Sequence, residues 1–171
     1  MKINDKKGVS TIVTVVLLVL VAIAAVALIA AFIVPFIKGS LSESQECFAV
    51  LGKVDVVAGQ NTCYNATSKE VSVRIKRGFA SDVSIDGVAV VLAGSGSSKR
   101  FDITAGGSSP SVRTLSKAYG GALSLPAEGE ENTYVFNVSG SGMSVSSAEV
   151  SPVLASDKVC EATTAEIPAC A

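Results

Sequence analysis

VSTIVTVVLLVLVAIAAVALIAAFIVPFIKG, residues 9–39, decides how the rest of the chain is read. Across residues 12–34 the only polar side chain is Thr14. As a helix, that run would measure roughly 35 Å at 1.5 Å per residue. This exceeds the roughly 30 Å hydrocarbon core of a bilayer and leaves room for tilt. Val13, Val15, Val16, Val19, Val21 and Ile23 are mediocre helix formers in water. In lipid an unsatisfied backbone group costs several kcal/mol, so a spanning helix is expected despite propensity. Pro35 removes the hydrogen bond to the Ala31 carbonyl and is expected to kink or loosen the helix. Beyond it, Lys38-Gly39-Ser40 could end the span, with a second helical stretch over 41–46.

Working outward, residues 1–8 read MKINDKKG, short, basic and polar. Lys2, Lys6 and Lys7 precede the apolar run, against Lys38 just after it. Positive charge stays inside, which puts the N-terminus in the cytoplasm and the remainder outside. An ordinary secretory signal has an apolar core of about 7–15 residues followed by a small-residue cleavage site. Here Ala22-Ile23-Ala24-Ala25-Val26-Ala27 lies mid-span, with apolar residues continuing past it. An uncleaved anchor remains an open alternative.

The four cysteines, Cys47, Cys63, Cys160 and Cys170, all follow the apolar segment and match no C-x-x-C pattern. An even count in an exported domain implies two disulfides. Of three pairings, Cys47–Cys63 and Cys160–Cys170 close the shortest loops at least entropic cost. The first would stabilise the fold by roughly 3 kcal/mol. Histidine is absent. That excludes Ser-His-Asp and Cys-His catalysis and His-ligated zinc. Asp82 and Asp86 near a turn, and Glu128, Glu130 and Glu131 in a loop, carry no acid–base or calcium-loop signature. With aromatics at 5% and no basic stripe, no nucleic-acid surface is expected. Neither an enzyme, a metal nor a cofactor is expected.

From Phe48 the periodicity becomes two. Val71, Val73 and Ile75 alternate with Ser72, Arg74 and Lys76. Residues 82–93 alternate at first and then run apolar, as in a strand that turns or bulges at Gly87 and enters the core. Tyr134, Phe136 and Val138 alternate again, and 48–57, 100–104, 112–115 and 148–155 are further strand candidates. Loops are expected at 94–98, 106–110, 126–132 and 139–144. The resulting fold class is α+β: one long N-terminal hydrophobic helix, then an antiparallel, immunoglobulin-like β-sandwich. Two sequons suit an exported domain as N-glycosylation candidates: Asn65-Ala66-Thr67, beside Cys63 in an Asn/Thr/Ser-rich loop, and Asn137-Val138-Ser139, with Asn137 inside a strand and alternating outward from Phe136 and Val138, where access is less open.

Lys6-Lys7-Gly8-Val9-Ser10-Thr11, followed at once by the apolar run, resembles the class III signal of archaeal type IV pilins and archaellins. The resemblance covers about residues 1–37. It implies a cut between Gly8 and Val9 by a membrane aspartyl (prepilin) peptidase, with the hydrophobic helix retained. Lys6 and Lys7 would hold this junction at the cytoplasmic face, with Gly8 a flexible point where the helix has not yet begun. Loss of residues 1–8 removes three lysines and Asp5, taking the formal net charge from −1 to −3. Bacterial pilins carry a glutamate at the fifth mature position, which here is Val13, and the Gly-rich start typical of archaellins is missing.

The domains implied are a leader 1–8, a transmembrane and assembly helix 9–46, and an extracellular head 47–171. Ala24, Ala27 and Ala31 give the helix a small face for close packing, with Pro35 beyond. The resemblance implies a pilin of an adhesive surface filament. Its partners would be further copies of itself, the prepilin peptidase and assembly platform, membrane lipid before assembly, and an unidentified surface or cell ligand. An archaellum-type motility subunit and an uncleaved single-pass surface-binding domain are the alternatives.

Overall fold

The computed structural model describes residues 6–79 and 83–170, with side chains from residue 12 except those of 40–43. Its elements are α1 (Lys6–Val50), β1 (Val54–Val56), β2 (Cys63–Asn65), β3 (Glu70–Arg77), β4 (Ile85–Gly94), β5 (Ser97–Thr104), β6 (Val112–Thr114), β7 (Glu131–Asn137), β8 (Ser147–Leu154) and β9 (Thr163–Glu166), with a 3-10 turn at Ser139–Ser141. The chain divides into two compact units, Met1–Gln45 and Glu46–Ala171.

The first unit is helical. α1 runs 45 residues without a break and carries Pro35 inside it. The expected interruption at Pro35 and at Lys38-Gly39-Ser40 does not occur. One proline deletes a single rung, and one glycine costs about 1 kcal/mol, against a long ladder of intact bonds. The helix also begins at Lys6, so Gly8 and Val9 lie within it and not ahead of it.

In the second unit the last turn of α1 replaces the start of the strand expected over 48–57. Val50 is fully buried and Cys47 partly so, three residues apart on one helical face. A tight turn then leads into β1, whose Val54 and Val56 point inward while Asp55 points out. Two antiparallel sheets follow, one ordered β1-β3-β7-β6 with β2 also on β3, the other β5-β4-β8-β9. They form a β-sandwich. Val71, Val73 and Ile75 of β3, with Tyr134 and Phe136 of β7, face Val88, Val90 and Leu92 of β4, Phe101 and Ile103 of β5 and Val150 of β8. Phe101 and Phe136, from opposite sheets, stack tilted at 5.0 Å between centroids.

The register of β4 on β8 shifts between Ile85 and Gly87, which is the irregularity expected at that glycine. A Cβ at Gly87 would lie 3.1 Å from the Ile103 carbonyl oxygen. The loop expected over 94–98 shrinks to Ser95-Gly96, both at positive φ (49° and 76°). Those angles suit a two-residue hairpin turn matched to strand twist.

Candidate functional site

Two features of the chain go beyond the needs of a folded core: the surface of α1, and the covalent and polar furniture of the head. The stretch Ile12–Val50 is long and apolar enough to cross a membrane, reaching a mean hydropathy of 3.4. Every described side chain from 12 to 39 is exposed, Phe32 and Phe36 to 74% and 75%. Apolar surface of that extent is stable only against lipid or other apolar helices. Ala24, Ala27 and Ala31 share this exposure, as does Pro35. Of the predicted signal residues, Lys6, Lys7, Gly8 and Val9 fall in the first turns of α1, their side chains outside the described set. Lys2 and the rest of 1–5 also lie outside the described residues.

All four cysteines are paired, but as Cys47–Cys160 and Cys63–Cys170. The short-loop pairing is therefore corrected. Loop entropy ranks pairings only in an unfolded chain, whereas here the fold has already chosen the neighbours. The C-terminal segment runs beside β2, with the Tyr64 amide donating to Pro168 O (2.8 Å) and the Cys170 amide to Tyr64 O (2.9 Å). Cys47, in the last turn of α1, meets Cys160, which follows β8 and donates its amide to Pro152 O within that strand. Each bond thus ties an early element to the C-terminal part of the chain.

Three of the candidate carboxylates, Glu131, Glu128 and Asp86, are engaged in ordinary surface contacts. Glu131 pairs with Arg74 at 3.0 Å, Glu128 lies 4.0 Å from Arg77, and Ser84 donates to Asp86. Asp82 lies outside the described residues. An open cleft of about 740 Å³ is lined by Arg77, Ile85, Asp86, Thr104, Leu123 and Asp157, among others. No three His, Cys, Asp or Glu side chains gather as metal ligands among the described residues.

Two tyrosines are perturbed. Burial raises the Tyr134 hydroxyl to about 12, and it donates to Ser124 O at 2.6 Å. Burial, and then its hydrogen bond to Glu70 (2.6 Å), raise Tyr119 above 10. Arg113 sits over the Tyr119 ring at 5.2 Å and 3.7 Å from Glu70, completing a small outward-facing cluster.

Both sequon asparagines end strands, Asn65 closing β2 and Asn137 closing β7. Asn137 was expected inside its strand. Sequence pattern alone missed β2 and β9, three and four residues long. The Thr-Thr pair in β9 is the only local hint.

No protein-family model matches the chain, and no curated protein matches it. Among solved structures, one chain of the archaellum periplasmic stator protein complex FlaF and FlaG from Sulfolobus acidocaldarius is similar at 14% identity. The match covers 67% of this chain and 88% of that one, with a TM-score of 0.34. At that score and identity the likeness carries no argument about function.

Proposed function

We propose that the chain is a structural subunit of a surface filament, of the archaeal type IV pilin kind, that polymerises through α1 and displays its head for adhesion. The observation that carries this reading is an apolar helix exposed at every described side chain from 12 to 39, in a chain that also carries a disulfide-stapled sandwich. Such a helix needs an apolar environment at every stage. Lipid supplies it before assembly, and a bundle of like helices supplies it afterwards. The small face at Ala24, Ala27 and Ala31 would let backbones approach closely in that bundle, and the Lys6-Lys7-Gly8-Val9 junction would be the processing site. The head's role is then to bind and to withstand the exterior, without catalysis. The partners are copies of the same chain, a prepilin peptidase and an assembly platform.

The test is the N-terminal sequence, by mass spectrometry, of chain taken from native membranes and from sheared surface material. A chain beginning at Val9 in the sheared fraction supports the reading. A chain still carrying Met1 or Lys2 and found only in membranes sinks it, leaving an anchored surface domain.

A further inference from the structure

The register of the first sheet brings the two sequons together. Asn65 pairs with Glu70, and Glu70 pairs on its other side with Asn137. Directly opposed residues of antiparallel strands share a face. The three therefore form one outward row, and the asparagines sit two strand spacings, roughly 10 Å, apart. Their neighbours Tyr64, Val71 and Phe136 are buried. The row lies at the Glu70 end of β3. The chain arrives from Val50 and Lys53 at the Arg77 end, where Gly78 N donates to Lys53 O. The eight residues of β3 separate the two ends, a distance of roughly 23 Å.

Proximity does not make the sequons equivalent. Asn65 opens the turn at 66–69, in which every residue is exposed. Its Oδ1 accepts from the amides of Thr67 (2.9 Å) and Ser68 (3.1 Å), which turns the carbonyl toward the loop and Nδ2 away from it. Asn137 Oδ1 likewise accepts from the Ser139 amide (2.9 Å), but the backbone around Asn137 is held differently. Its amide donates to Ser111 O, and the Val138 amide donates to Lys69 O. The Val138 carbonyl accepts from Ser141 N and Oγ, and the Val138 side chain is fully buried in the core. The Ser139 hydroxyl is turned onto its own asparagine, 2.6 Å from Oδ1. A transferase must hold all three residues of a sequon, hydroxyl included. On the folded head it can grip 65–67 but would have to pull Val138 out of the sandwich to grip 137–139.

We propose that Asn65 is the acceptor of an N-linked glycan on the folded head, and that Asn137 is a sequon closed by the fold. The co-substrate is an oligosaccharide carried on a lipid phosphate. Asn65 Nδ2 bonds to the anomeric carbon, and the carbon–oxygen bond to phosphate breaks with its electron pair remaining on the lipid phosphate. One Nδ2 proton passes to the transferase's base, and nothing is oxidised or reduced. The proposal rests on the head being exported.

The experiment is intact-mass and peptide mass spectrometry of the full chain from its native cells, as wild type and as Asn65→Gln, Thr67→Ala, Thr67→Ser and Asn137→Gln. Thiol alkylation with and without reduction accompanies each sample. The expected result is a glycan on the peptide containing Asn65 and none on that containing Asn137. Asn65→Gln and Thr67→Ala lose the whole added mass, while Thr67→Ser and Asn137→Gln retain it. A disulfide-bonded, surface-located chain bare at Asn65, or one carrying its glycan at Asn137, overturns the proposal while leaving the export reading standing. A chain with four free thiols retained in the cytosol overturns the export reading, and the acceptor with it.

Discussion

Replacing both cysteines of one disulfide with alanine tests how the crossed bonds act together. Cys47–Cys160 spans 113 residues and Cys63–Cys170 spans 107. Taken alone, either loop would restrict the unfolded chain by about 4.8 kcal/mol at 25 °C. The second bond adds less, because the first has already created a short route. With Cys47–Cys160 in place, Cys63 and Cys170 are linked through residues 47–63 and 160–170, a ring of about 26 residues worth about 3.5 kcal/mol. The same ring applies when the bonds are taken in the other order. C47A/C160A and C63A/C170A should therefore lose about the same stability, about 3.5 kcal/mol each, and the quadruple variant about 8 kcal/mol, more than their sum. The assay is guanidinium unfolding of the full chain in detergent, followed by tyrosine fluorescence, since the protein has no tryptophan. Losses under about 1 kcal/mol, or two unequal losses that simply add, would refute the reasoning.

Further expectations concern packing, titration and assembly. Gly94→Ala places a methyl group against the Ser144 carbonyl and should cost about 1–3 kcal/mol, whereas Gly140→Ala, with nothing near it, should stay within about 0.5 kcal/mol, both read from unfolding midpoints. Tyr134 is held neutral in the fold, its pKa raised from 10.0 to about 12. Its contribution is therefore complete below the unfolded pKa and is lost as pH rises toward 12, because the unfolded chain ionises first. Melting temperature against pH should fall across that window, and less steeply in Tyr134→Phe, which at neutral pH should lose about 1 kcal/mol with the bond to Ser124. Ala27→Leu should lower the yield of sheared filament while leaving membrane insertion unchanged, as measured by quantifying the chain in the two fractions.

Legibility followed pattern length. The apolar run at 12–34 and the alternation at 71–76 are long enough that one period dominates, and both become the elements they suggest. The hairpin at Ser95-Gly96 and the bulge at Gly87 were readable because glycine marks them. β2 and β9 were not, since three or four residues at a sheet edge owe their conformation to the strand beside them. The end of α1 was misjudged for a related reason. Val50 reads equally well as a strand residue, and only its burial beside Cys47 shows the helical spacing. The disulfides were illegible in principle, because pairing depends on which strands become neighbours. The inward side of Val138 was legible from its alternation with Tyr134 and Phe136; the bonds that lock its backbone, to Lys69 and Ser141, were not.

The crossed bonds also decide how the head would bear a pull. Tension applied at Cys47 and resisted near Cys63 runs along two covalent straps in parallel. One is residues 47–63, which can stretch to about 55 Å; the other is residues 160–170 with a disulfide at each end (Cα–Cα 5.3 and 4.9 Å), which becomes taut at about 45 Å. The shorter strap sets the limit. Residues 64–159, which hold most of both sheets, hang off this ring as a closed lobe outside the line of force. A ligand tugging at the β2–β3 turn would therefore load the few residues between Cys63 and the turn, two disulfides and the eleven residues 160–170, and most of the sandwich would not have to unravel for the subunit to hold.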